Sequence, residues 1–206
     1  MPRAVREREM LEVARAVFAK RGFHAASMER IAKGAGVTKP MLYAYFGSKE
    51  GLFAACVSLD AEALRARIRK VVAAARRPDE AFFQGLMAVF DFAEENRQPW
   101  MVVYPAGEAS SGPIGEQAAQ ARQAMVELLE DLFRRVGMGH GVGDEALSHA
   151  RPMAQAVTAA TIAAASEWVR DPTEPKELAA LRLMNFAWMG LGDMLQGRLW
   201  LPGEAG

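Results

Sequence analysis

Residues 27–52, SMERIAKGAGVTKPMLYAYFGSKEGL, confine the fold more than any other stretch of the chain. Ser27, Thr38 and Ser48 each precede an apolar-periodic run, where a side-chain oxygen can accept from the first free N–H groups of a helix. Caps this closely spaced divide the segment into short helices, and Gly36 breaks the chain between the first two. Ile31, Ala32, Val37, Leu42 and Phe46 are then the inward residues. Leu42 and Phe46 stand four apart on one face and would hold the two helices at a fixed angle. Two short helices joined by a glycine turn make a helix-turn-helix.

The outer face of the second short helix carries Pro40, Tyr43 and Ala44, with Lys39 at its N-terminal rim and Tyr45 to one side. Water alone gives no reason to display two tyrosines and a lysine. A phosphate backbone does, because tyrosine hydroxyls and lysine ammonium groups donate to phosphate oxygens. The N-termini capped by Thr38 and Ser48 also point backbone N–H groups toward an anion.

Strand signals are almost absent elsewhere, so the fold class expected is all-α. A first helix is read over 5–21, with Leu11, Ala14, Val17 and Phe18 inward and Gly22 as its left-handed cap. Further helices are expected over 79–95, 114–136, 144–170 and 173–196. A looser stretch with two prolines covers 99–115, and a glycine-rich connector covers 137–143. The organisation expected is a helix-turn-helix domain over 1–50 and a larger helical body over 51–206.

Charge follows the same division. Residues 1–50 hold ten Lys/Arg against five acids, net +5, and the remaining residues hold 15 against 20, net −5. A basic head on an acidic body suits a polyanion reader. The single cysteine, Cys56, rules out an internal disulfide and, with no secretory signal, points to the cytoplasm. No apolar run is long enough for a membrane span. Catalysis finds little support: the three histidines (His24, His140, His149) lack metal-ligand spacing and Cys56 has no neighbouring base. Catalytic residues, metal and cofactor are all expected to be none.

The run IAKGAGVTKPMLYAYFGSKEGLF, after a helix ending in Arg21-Gly22-Phe23, resembles the N-terminal domain of the tetracycline-repressor (TetR) family of bacterial transcription regulators. The likeness is strong over the first 55 or so residues and rests on length and pattern beyond them. It implies that Thr38, Tyr43, Tyr45 and Lys49 clamp a double-stranded DNA backbone while Lys39, Pro40 and Ala44 face base edges. Many members carry His where this chain has Ala44. Without Arg, Asn or Gln on the face, discrimination would rest on Lys39, on thymine methyl contact from Pro40 and Ala44, and on DNA shape. Arg3 or Arg6 would add a contact from a flexible arm.

So small a reading head needs a second copy, and two half-sites require a two-fold dimer. The last helix is apolar around most of its circumference, with Leu181, Met184, Trp188, Leu191 and Leu195 as its stripe and Phe186 and Met189 beside it. The helix before it offers Ala156, Ala159, Ala160 and Ala163 for close approach. The resemblance likewise implies a homodimer through these two helices, a palindromic operator, and repression relieved by a small-molecule effector held in the body. Trp100, Tyr104, Met125, Phe133, Asn185 and Trp188 are the candidate effector residues, because small-molecule pockets are mostly apolar with a few polar groups. A DNA-binding regulator with no effector is the alternative, with a helical enzyme further behind.

Overall fold

The computed structural model describes residues 2–104, 111–139 and 147–194. It contains α1 (Arg3–Ala25), α2 (Met28–Gly34), α3 (Lys39–Phe46), α4 (Lys49–Ala74), α5 (Pro78–Glu95), α6 (Arg97–Val103), α7 (Gly112–Gly139), α8 (Ala150–Arg170) and α9 (Lys176–Met194). Every regular element among the described residues is helical, so the fold is all-α as expected.

Several boundaries differ from the sequence reading for local reasons. The stretch from 99 is not loose at its start: α6 forms there because Pro99 falls in a first turn, where a missing N–H costs no helix bond. α7 runs through Gly137 to Gly139, so the expected connector begins later, and its remainder with Asp144 lies outside the described residues. α9 starts at Lys176 rather than Thr173, with Pro175 just ahead of it. α1 continues past a kink at Gly22 (φ 73°) to Ala25. Its first residue is already Arg3, so neither Arg3 nor Arg6 belongs to a flexible arm.

The chain forms two compact units, one from residues up to Leu64 with Asp91–Ala121, the other from Arg65–Phe90 with residues from Arg122 onward. Compactness therefore does not divide the chain at residue 50, because α1 packs against α6 as well as α2.

The first unit closes on Met10, Ala14 and Phe18 of α1, Ile31 and Ala32 of α2, Leu42 of α3 and Leu52, Phe53 and Val57 of α4, all buried. Phe53 meets Phe18 edge-on at 5.0 Å and Phe23 at 5.2 Å. Such aromatic pairs add about 0.5–1.5 kcal/mol each beyond the area they bury. Beside them Arg15 pairs with Asp60. Burial pushes the Asp60 carboxyl above its ordinary range, and the opposing pull of Arg15 does not cancel that. Burial also pushes the Cys56 thiol up to about 12. At pH 8 the folded protein should therefore react with a thiol reagent roughly 10³-fold more slowly than the urea-unfolded chain, since only the thiolate attacks. Comparable labelling rates would show that Cys56 is neither buried nor held neutral.

The second unit is built on Val126 and Phe133 of α7, Ala150, Ala154 and Val157 of α8 and Ala187 of α9. Phe82 of α5 lies 6.4 Å from Phe133 and 6.1 Å from Trp188. α8 packs along α9, and the turn between them is fastened by Trp168 Nε1 donating to the Glu174 carbonyl at 2.8 Å.

Candidate nucleic-acid interface

All three caps close as the sequence requires. The Ser27 hydroxyl accepts from Arg30 N–H at 3.2 Å, Thr38 from Met41 N–H at 3.4 Å, and Ser48 from Gly51 N–H at 2.9 Å. Between α2 and α3 the chain turns at Gly36 (φ 65°), a conformation that a side chain would strain. The Val37 N–H then donates to the Ala32 carbonyl at 3.0 Å. Gly51 is required for a different reason, because a Cβ there would stand 2.1 Å from the Phe46 carbonyl oxygen. Its absence lets α4 start hard against the end of α3. Periodicity did not single out Gly51, since the contact that demands it is between backbones.

α3 is thereby fixed with Leu42 fully buried and Phe46 packed on the core. Lys39, Pro40, Tyr43 and Ala44 are exposed, Tyr43 at 42%. Tyr45 is half-buried, and the Arg3 guanidinium lies 5.1 Å above its ring. Arg3 therefore stands beside α3, reached through α1.

Both expected lysines have partners within the protein. Lys39 donates to the Glu29 carboxylate of α2. That bond, more than the charge itself, holds the Glu29 carboxyl below its usual range and the Lys39 ammonium above its own. Lys49 donates to the His24 carbonyl at 3.0 Å and sits 4.7 Å above the Phe23 ring, so it ties the start of α4 to the end of α1. Neither contact follows helical spacing, because the partners lie 10 and 25 residues away.

The candidate effector residues are shared between the two compact units. Trp100 (buried) and Tyr104 (half-buried) pair at 4.6 Å within the first unit. Phe133 and Trp188 meet around Phe82 in the second, where Met125 is half-buried. Asn185 is exposed and its amide donates to the Leu181 carbonyl of its own helix at 3.0 Å. Sequence reading passed over a cavity of about 300 Å³ in the first unit, lined by Arg15, Phe18, Phe53, Cys56, Asp60 and Asn96 among others. It includes none of the expected effector residues. Among the described residues, no cluster of three or more His, Cys, Asp or Glu is placed to hold a metal. No described helix is long and apolar enough to cross a membrane.

Residues 10–56 match the bacterial regulatory proteins of the tetR family, and residues 78–190 match the tetracyclin repressor-like C-terminal domain. The chain belongs to the TetR family. This TetR-family protein is 30% identical to the HTH-type transcriptional activator FasR of Mycolicibacterium smegmatis, over 94% of this chain and 86% of FasR. A TetR-like transcriptional regulator from Rhodococcus sp. RHA1 superposes with a TM-score of 0.63 at 32% identity, covering 93% of this chain and 98% of that one. The FadR regulator of Bacillus subtilis, crystallised with stearoyl-CoA, shares the fold with a TM-score of 0.67 at 16% identity, covering 93% and 99%. The TetR-family chain is a helix-turn-helix, DNA-binding transcriptional regulator and not an enzyme.

Proposed function

We propose that the protein is a dimeric repressor that occupies a palindromic operator through α3 and leaves it when a small, largely apolar effector binds the body. On this reading residues 1–50 read DNA, and residues 51–206 bind the effector and form the dimer. The observation that carries it is the two-sidedness of α3: Leu42 is fully buried beneath a face that offers Lys39, Pro40, Tyr43 and Ala44 to solvent. Pro40 and Ala44 would meet base edges with Lys39. Thr38, Tyr43, Tyr45 and Lys49 would hold the backbone, with Lys49 first giving up its carbonyl partner.

Dimerisation through α8 and α9 is supported by what those helices leave uncovered. Phe186 is 79% exposed and Met189 74%, with Leu178 and Leu181 also exposed on α9. Ala156, Ala159 and Ala163 are exposed on α8, small enough for another helix to approach closely. A monomer in water has no use for such a surface.

An effector would act by preferring the arrangement in which the two α3 helices are wrongly spaced for DNA, and DNA would oppose it by the same coupling. Trp100, Tyr104, Met125, Phe133, Asn185 and Trp188 are the residues proposed to contact it. Stearoyl-CoA in the Bacillus subtilis FadR gives one instance of this fold with a largely apolar ligand. A thermal-shift screen of apolar acids and their thioesters tests for an effector. At 100 times its Kd a true ligand adds about 2.7 kcal/mol of stability, and a uniformly flat screen favours a regulator without one. The name of FasR as an activator favours a second reading of the output. In vitro transcription with and without the protein separates the two.

Changing Tyr43 to Ala should leave the melting temperature and the dimer intact, because the ring is 42% exposed. Losing a hydrogen bond to phosphate costs about 1.5–3 kcal/mol. Two copies per dimer should therefore weaken every duplex by on the order of a hundredfold or more. Unchanged affinity in a gel-shift titration would remove Tyr43 from the interface.

A further inference from the structure

We propose that Glu29 is a specificity-determining residue of the DNA face, acting through Lys39 as an internal competitor that only a matching base edge displaces. The inference rests on the reading of α3 as the DNA-contacting helix. Lys39 opens α3 and Glu29 sits in the first turn of α2, so the glycine turn at Gly36 brings together two residues ten apart in sequence. The two side chains are paired and both reach solvent, Lys39 at 44% and Glu29 at 63%. An exposed pair of this kind adds little to folding, so its role need not be stability.

Its effect on binding differs between a wrong and a right sequence. On a wrong sequence the only acceptors offered to Lys39 are phosphates, which every duplex supplies. Lys39 then stays with Glu29, and the face engages DNA with one cation fewer than its sequence suggests. On a right sequence a guanine edge offers two acceptors, O6 and N7, to the N-terminal residues of a recognition helix, of which Lys39 is the first. Lys39 exchanges partners, and Glu29 is left in water at little cost because it is already largely exposed. Lys49 is under no such control, since its partner is a neutral main-chain carbonyl rather than a carboxylate.

The test compares the wild-type protein with Glu29→Gln, Glu29→Asp, Lys39→Gln and the double variant E29Q/K39Q. Each is titrated with a duplex selected by the wild-type protein and with a scrambled duplex, at several salt concentrations. Glu29→Gln should steepen the logarithmic salt dependence on scrambled DNA by about 0.9 per protomer, one extra phosphate contact each. It should change the selected duplex less, so the ratio of the two affinities falls. Glu29→Asp, which keeps the charge, should stay near wild type. Glu29→Gln should have no such effect once Lys39 is Gln. A slope unchanged by Glu29→Gln overturns the proposal. So does a change that persists without Lys39, since Glu29 would then be only a nearby negative charge. Either result leaves the DNA reading standing as long as Lys39→Gln still weakens the selected duplex. Failure of the wild type to select any duplex would remove both.

Discussion

Replacing Phe186 and Met189 together by glutamate should turn the proposed dimer into monomers and lower operator affinity by about 10²–10⁴-fold, the range that a second linked binding event contributes. Phe186 and Met189 are the most exposed large apolar side chains among the described residues. Among the described residues little covers them, so the substitutions should leave the monomer fold alone. At a two-fold interface each residue meets the partner's copy of the same patch. Four added carboxylates would then face one another where apolar contact was expected. Sedimentation velocity should show a species near 22.5 kDa, with helical circular dichroism unchanged. A variant that remains dimeric would place the interface elsewhere. A monomer that binds the operator as tightly as the wild type would mean that one reading helix suffices.

Leu42→Ala is expected to have the largest effect on stability within the helix-turn-helix. The side chain is fully buried where α3 meets the core of the first unit, alongside Ile31 and Phe53. Truncating such a leucine costs about 2–5 kcal/mol through lost burial and the cavity left behind. Against a typical total of about 5–15 kcal/mol, that is a large part of the protein's margin. Thermal melting should fall by roughly 2–4 °C per kcal/mol for a chain of this size. DNA affinity should fall as well, because α3 loses the contact that sets its angle. Tyr43→Ala, one residue along, should reverse the pattern, with melting kept and DNA lost. If both variants keep their melting temperature, Leu42 is not the inner residue of α3.

The parts of this design that sequence alone conveyed are those governed by neighbours in the chain. Ser27, Thr38 and Ser48 cap N–H groups three residues ahead, so residue type and position suffice to find them. The burial of Leu42 and exposure of Tyr43 follow from helical spacing in the same way. What escaped depends on distant parts of the chain. Lys49 looks like a free surface lysine until α1 brings the His24 carbonyl and the Phe23 ring to it. The Glu29–Lys39 pair spans a turn and lies on no single helix. The demand for glycine at 51 comes from the Phe46 carbonyl, which has no periodic signature. Prolines misled at α6 and α9 because a helix tolerates or follows Pro at its start, so the residue marks a boundary without saying on which side. Large aromatics on helices look alike whichever core they enter. Periodicity therefore does not say that Trp100 and Tyr104 pack in one compact unit and Phe133 and Trp188 in the other.

The most direct measurement of the central claim is selection of bound duplexes from a random pool by the wild-type protein, followed by sequencing. The expected product is an inverted repeat whose half-site centres lie about one helical turn, 10–10.5 bp, or a multiple of it apart. A single unrepeated half-site, a direct repeat, or no enrichment at all would contradict a symmetric pair of α3 helices reading DNA.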